Sequence, residues 1–205
     1  MDLTSFVEQL QIGLESGLPG IEAHKQMMPF GRLLSSPESK NTKESSVLIL
    51  VSFNYENPAV TFIERAKYNG YHSGQIAFPG GKFDPLFDKT PVDTAIRETM
   101  EEIGYATEKW QIIAQLSDLY IPVSDILVYP FVAVAPLLPN LQPTSPEVAK
   151  VMNIPLTDFS PENVMKGTFS GQGFDIEAPF WYAGGKTIWG ATAMIMSELI
   201  AILNK

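Results

Sequence analysis

Residues 90–104 read TPVDTAIRETMEEIG, and the fold of the chain turns on how this stretch is understood. Thr90 is a candidate N-cap, Pro91 takes the first helical position, Asp93 stands in the first turn and Gly104 is a stop, so both ends of a helix are signalled. At about 100° per residue, Val92, Ile96, Thr99, Met100 and Ile103 gather on one side. Glu98, Glu101 and Glu102 point the other way, within about 100° of one another. Like charges at such spacings repel, so the crowding asks for a reason. A hard divalent cation such as Mg²⁺ or Mn²⁺ takes oxygen ligands, and three carboxylates on one exposed face would serve it. The bland alternative is a solvated acidic face with Arg97 and Glu101 as an i, i+4 pair.

On either side of this helix the chain reads as strands. VLILVSF at 47–53 is an uninterrupted run of β-favouring residues, as in a central strand covered on both faces, and AVTFIERA and QIAFPGG read as further strands. Beyond the helix, residues 110–136 hold short β-rich runs broken at Pro122 and Pro130. Ala183, Gly184 and Gly185 lie between two aromatic and β-branched runs, a hairpin signal, with Phe180, Trp181, Tyr182 and Trp189 building its core. Phe6, Leu10 and Leu14 recur at helical spacing near the start, and Ala191, Ile195, Leu199 and Ile202 mark an amphipathic helix at the end. Strands interleaved with helices imply a layered α/β or α+β domain with a mixed sheet. We expect a single domain over residues 1–205, with an N-terminal helix and polar loop at 1–45 and the core at 46–205.

Composition narrows the function classes. The 205 residues carry a formal net charge of −9, 45% hydrophobic residues and no cysteine. A disulfide framework is excluded, and the acidic balance disfavours nucleic acid and anionic membranes as partners. The apolar stretches are too short or too interrupted for a membrane span, and the first residues lack the pattern of a secretory signal, so the expected location is cytoplasmic. An anionic substrate would need local neutralisation, which again points to metal.

The wider stretch FPGGKFDPLFDKTPVDTAIRETMEEIGY resembles the signature of the Nudix hydrolases, GX5EX7REUXEEXGU, at Arg97, Glu98, Glu101, Glu102 and Gly104, with Gly80 and Gly81 at its glycine end. Tyr105 holds the last apolar position, and Thr99 stands where the family has a larger aliphatic residue. The spacing from Gly81 to Arg97 is longer than the pattern. Strict counting puts Lys89 at the isolated upstream acid, and Asp84 or Asp88 is available to replace it in the lengthened loop. ERAKYNGYHSGQIAFPGGK, with Arg65, Lys67 and Gly74, is similar to the element before the box in the coenzyme A pyrophosphatase branch.

That resemblance implies an α/β/α sandwich with a mixed sheet, a catalytic loop-helix-loop, and extra N- and C-terminal helices. It implies Mg²⁺ or Mn²⁺ held by Glu98, Glu101, Glu102 and a carbonyl of Gly80 or Gly81. Arg97 would orient a glutamate, and the general base would be Glu98 or Glu147, the latter also readable as a charge at a helix start. Arg65 and Lys67 would contact phosphates, the alternative being ordinary surface; His72 would contact substrate or make a structural hydrogen bond, Ser124 would line the pocket, and His24 reads as ordinary surface. The implied reaction is hydrolysis of coenzyme A or acyl-coenzyme A to adenosine 3',5'-bisphosphate and 4'-phosphopantetheine. The alternatives are an ADP-ribose or dinucleotide pyrophosphatase and a non-catalytic nucleotide-binding module. The partner is a small nucleotide, and a second copy of the chain, as a homodimer, stays open.

Overall fold

The computed structural model describes residues 1–32, 42–54, 57–69, 72–105, 110–135, 141–171 and 174–205. Part of the polar loop expected before residue 46 lies outside these. The helices are α1 (Leu3–Glu15), α2 (Ile21–Gln26), α3 (Pro91–Ile103) and α4 (Gly190–Leu203). The main sheet is built from β1 (Lys43–Asn54), β2 (Asn57–Arg65), β3 (Ile76–Ala77), β4 (Gly80–Lys82), β5 (Gln111–Gln115), β6 (Leu119–Ile121), β7 (Ile126–Ala135) and β8 (Val148–Pro155). A second sheet holds β9 (Met165–Gly171), β10 (Phe174–Ala183) and β11 (Lys186–Trp189).

The main sheet is mixed, as expected. Its order is β3-β2-β1-β7-β5, with β4 on β1, β6 on β7 and β8 on β2. β1 and β7 run parallel from Lys43↔Ile126 to Ser52↔Ala135, and the other pairs are antiparallel. The apolar run of β1 is explained by cover on both faces. Leu48 and Leu50 pack with Ala95 and Ile103 of α3, while Ile49, Val51 and Phe53 join Phe6, Leu10, Trp181, Ile195 and Leu199 in the larger core. α3 therefore forms one outer layer; α1, α2, α4 and the second sheet form the other.

Four expectations are corrected. β1 starts at Lys43, four residues before the apolar run, because Ser45, Ser46 and Val47 pair with β4. The chain does not break at Pro130, which lies inside β7 opposite Val47. Its carbonyl accepts from the Leu116 amide at 2.9 Å, in the gap between β5 and β6, so its missing N–H faces the side where no ladder needs it. α4 is buried all round rather than amphipathic, because α1, α2, β10 and β11 all pack against it. His24 is not surface: it is 2% exposed, with Nε2 at 3.1 Å from Glu198 of α4. The short helix α2 that carries it has no counterpart in the sequence reading. The hairpin is present, turning at Gly184 and Gly185 with φ of 56° and 74°, a left-handed pair that glycine adopts without strain. Among the described residues no helix is long and apolar enough to cross a membrane.

Candidate active site

α3 forms where its caps place it. The Asp93 carboxylate accepts from the Thr90 amide at 2.8 Å and its hydroxyl at 2.9 Å, and Gly104 ends the helix at φ 66°. The side turned to the sheet differs from the expected one. Ala95, Thr99, Glu102 and Ile103 are buried, whereas Met100 is 37% exposed. Thr99 tolerates burial because its hydroxyl donates to the Ala95 carbonyl at 2.6 Å. The three glutamates accordingly do not share one exposed face. Glu102 is buried at 5% exposure, Glu98 is partly covered, and Glu101 is open to solvent.

The reason is the glycine turn under the helix. Gly80 and Gly81 of β4 pair with Val47 and Ser46 of β1, and the Gly80 amide donates to Glu102 Oε2 at 2.9 Å. Gly80 adopts φ 148°, and an added Cβ would stand 2.2 Å from the Ser46 carbonyl oxygen. At Gly81 a Cβ would stand 2.3 Å from the Glu98 carboxyl carbon, so this glycine lets the carboxylate lie against the backbone. The Gly81 carbonyl accepts from Ser45 Oγ at 2.6 Å. Burial raises the pKa of Glu98, and it pushes that of Glu102 up to about 7 against the opposing Gly80 hydrogen bond.

Arg97 has a larger role than an i, i+4 pair with Glu101, from which it stands 3.5 Å. Its Nε and Nη2 grip both oxygens of Asp88 at 2.8 Å, its Nη1 donates to Glu98 at 2.8 Å, and Nη2 reaches the Lys82 carbonyl at 3.3 Å. The hydrogen bonds from Arg97 hold the Asp88 carboxyl well below the usual carboxylate range, despite burial. Of the two aspartates in the lengthened loop, Asp88 is the one that pairs with Arg97. Two bonds to a buried carboxylate fix the arginine, and the arginine fixes Glu98.

The remaining candidates divide. Arg65 and Glu147 meet at 3.9 Å, and both are close enough to Glu102 to alter its ionisation. Arg65 Nε is buried without a hydrogen-bond partner among the described residues. Lys67 is exposed and lies along Gly74, while His72 sits at φ 64° with Nδ1 at 3.0 Å from Gln75 Oε1. Ser124, on a 3-10 turn after β6, has a buried Oγ that finds no partner among the described residues. None of these three touches a glutamate of α3 through a described hydrogen bond.

Sequence reasoning passed over Ser46 and the pair formed by Tyr129 and Glu44. Ser46 is 1% exposed, adjoins the glycine turn, and its Oγ lacks a partner among the described residues. Tyr129, beside Ser46 in register, donates to Glu44 at 2.9 Å, and burial pushes its hydroxyl up to about 12. Only the strand register reveals these residues, since serine and tyrosine in a β-run carry no signal by themselves. A depression of about 290 Å³ also lies along Asp93, Ile96, Arg97, Met100 and Glu101 of α3.

Among the described residues no three acidic or histidine side chains converge at ligand distance, because Arg97 holds Glu98 and the Gly80 amide holds Glu102. The donor chemistry nonetheless fits a hard cation. The side chains offer carboxylate oxygen only, and Gly81 leaves Glu98 in direct contact with the backbone, where any other residue would displace it.

Residues 42–169 match the family model of the NUDIX domain. The chain is 34% identical over 150 residues to mitochondrial coenzyme A diphosphatase NUDT8 of Homo sapiens, covering 71% of this chain and 63% of that protein. It is 32% identical over 162 residues to the uncharacterized Nudix hydrolase NudL of Photorhabdus laumondii, covering 78% of this chain and 85% of that one. Among solved structures, the Nudix hydrolase RenU from M. smegmatis aligns over 57% of this chain and 73% of its own, with 20% identity and a TM-score of 0.48.

Proposed function

The chain belongs to the Nudix hydrolases, a family of diphosphatases that generally use a divalent metal, and we propose that its substrate is coenzyme A or an acyl derivative, cleaved at the diphosphate. The products would be adenosine 3',5'-bisphosphate and 4'-phosphopantetheine or its acyl form. The observation that carries this reading is the position of Arg65. The element it shares with Lys67 and His72 runs straight into the glycine turn, and Arg65 stands beside the buried Glu102. The similarity to the human coenzyme A diphosphatase supports it.

Glu98, Glu101 and Glu102, with a carbonyl of the glycine turn, would hold Mg²⁺ or Mn²⁺. When bound, the metal supplies charge neutralisation at the diphosphate and acidifies water. The chain's own groups do the rest. Arg97, anchored on Asp88, orients Glu98 against Gly81. Arg65, whose Nε has no protein partner among the described residues, and Lys67 would meet substrate phosphate oxygens. His72 and Ser124 would complete the pocket wall. The proton of the attacking water would pass to Glu98 or Glu147. Glu147 is the freer of the two, with 74% side-chain exposure and a single distant cation, while Glu98 is tied to Arg97.

The test is product analysis with Mg²⁺ or Mn²⁺ and, separately, coenzyme A, ADP-ribose, NADH and a nucleoside triphosphate. Release of adenosine 3',5'-bisphosphate that disappears in Glu101→Gln, Glu102→Gln is the expected result. Turnover of ADP-ribose alone would overturn the substrate and keep the chemistry. The pH–rate profiles of Glu98→Gln and Glu147→Gln identify the base, since only loss of the base removes the acidic limb.

A further inference from the structure

Ser46 is 1% exposed, yet its hydroxyl has no hydrogen-bond partner among the described residues. Other buried hydroxyls behave differently. Those of Ser52, Thr61, Thr94, Thr99 and Ser197 donate to Ala59, Asn153, Asp88, Ala95 and Ala23 in turn. A hydroxyl withdrawn from water without a partner carries a cost that a methyl group at the same place would not. The serine therefore calls for a partner that it meets in another state of the protein.

The strand register shows where that partner stands. Leu48 and Leu50 of β1 pack with Ala95 and Ile103 of α3, and strand alternation puts Ser46 on the same face. Ser46 is paired with Gly81 of β4, and residues directly opposed on antiparallel strands point to the same side, with Cβ positions about 5 Å apart. Gly81 leaves its Cβ position empty, and Glu98 fills that room: a Cβ built there would stand 2.3 Å from the Glu98 carboxyl carbon and 2.4 Å from its Oε2. The carboxylate thus takes the place of the side chain that would face Ser46 across the strands. Arg97 Nη1 donates to Oε1 at 2.8 Å, while Oε2 accepts from no donor among the described residues. A buried donor lacking an acceptor and a carboxylate oxygen lacking a donor adjoin on one face of the sheet.

We infer that Ser46 is a positioning residue for the carboxylate set: its hydroxyl donates to Oε2 of Glu98 when that carboxylate serves a divalent cation, so that Arg97 holds one oxygen and Ser46 the other. Each carboxylate oxygen has two lone pairs, so the two hydrogen bonds leave room for the cation. A change of serine rotamer is the motion required. Ser46 can act so only if Glu98 holds Mg²⁺ or Mn²⁺ as proposed above, and the experiment separates the two.

Mn²⁺ binding, followed by electron paramagnetic resonance of the free ion without substrate, is measured for wild type, Ser46→Ala, Glu98→Ala and the Ser46→Ala, Glu98→Ala pair, with Mn²⁺ raised until the weakened sites fill. Each protein is also melted in chelator. Ser46→Ala should bind Mn²⁺ about tenfold more weakly than wild type, as when a group that orients a metal ligand is removed. In the Glu98→Ala background the same change should have no further effect, since the acceptor is gone. The melting temperature of Ser46→Ala in chelator should be unchanged or slightly raised, because the metal-free protein loses no hydrogen bond. Unchanged Mn²⁺ binding in Ser46→Ala, or an equal loss in both backgrounds, would overturn the inference and retain the metal site. A lowered melting temperature in chelator would make Ser46 part of the scaffold and overturn it too. Mn²⁺ binding that is absent in wild type, or equal in wild type and Glu101→Gln, Glu102→Gln, would discard the metal site itself and the role of Ser46 with it.

Discussion

Glu102 of α3 and Glu198 of α4 are withdrawn from water almost equally, at 5% and 0% exposure, yet their carboxyls are shifted in opposite directions. Glu198 accepts from the Gly20 amide at 3.0 Å, the Ser117 amide at 3.1 Å and Ser117 Oγ at 2.6 Å, and His24 Nε2 stands at 3.1 Å. Burial opposes its ionisation, but these partners outweigh it and hold the carboxyl below its ordinary value. Among the described residues Glu102 has one protein donor, the Gly80 amide, and its charged neighbours Glu98 and Glu147 oppose Arg65. The same side chain at the same depth is a finished structural joint in one place and an unfinished one in the other. What marks a functional carboxylate here is the shortage of donors around it, and burial by itself does not.

The comparison is tested most severely by activity. Glu102→Gln should lower kcat/KM by about 10³, in the range seen when a fixed electrostatic group is removed from a reaction site. Glu198→Gln should stay within about twofold of wild type. A large loss in both would mean that Glu198 shapes the site through α4, and the contrast would fail.

Stability should reverse the order. Glu198→Ala leaves the amides of Gly20 and Ser117 buried without their acceptor and should cost about 3 kcal/mol. At about 2–4 °C per kcal/mol for a chain of this size, the melting temperature falls by roughly 6–12 °C. Glu102→Ala in metal-free protein should cost far less, because the side chain it removes is poorly satisfied. Thermal melts of the two variants side by side decide the matter.

Acidity gives a third contrast. Glu102 has a folded pKa above its unfolded one, so it stabilises the metal-free fold fully below the unfolded carboxylate range, and this contribution is lost as pH rises through about 7. A shift from 4.5 to about 7 corresponds to roughly 3 kcal/mol between those limits. Glu198 acts in the other sense: its contribution is present above the unfolded range and is lost as pH falls through its lowered folded value. Urea titrations at stepped pH should show both slopes. Excess Mg²⁺ should flatten the first and leave the second, and a first slope indifferent to Mg²⁺ would mean the ion does not bind at Glu102.

These features were unequally legible in the sequence. The caps of α3, the glycine hairpin and the alternation of strands and helices are local signals, and they reappear where expected. The three glutamates were found by spacing, but which of them is buried depends on β4 passing beneath α3, a contact between distant elements that helical periodicity cannot register. Lys89 takes the counted position of the upstream acid while Asp88 is the acid that meets Arg97, because a lengthened loop changes the register that counting assumes. Glu198 gave no signal at all. A glutamate among the apolar residues of α4 becomes intelligible only when Gly20, His24 and Ser117 are brought to it across the fold.

The smallest expected effects separate site from scaffold by a single methyl group. An alanine at Gly81 would place Cβ 2.3 Å from the Glu98 carboxyl carbon, and one at Gly13 would place it 2.2 Å from the Ile202 carbonyl oxygen of α4. The first obstacle is the end of a side chain that can rotate away from Arg97; the second is helix backbone. Gly81→Ala should therefore move the melting temperature little while lowering kcat/KM about tenfold, or about 1.4 kcal/mol, since it displaces one member of the carboxylate set. Gly13→Ala should force α1 and α4 apart and cost about 1–3 kcal/mol of stability with kcat/KM unchanged. If Gly81→Ala proved destabilising and fully active, Glu98 would not need its place against the turn, and the site would have to be drawn around Glu101, Glu102 and Glu147 instead.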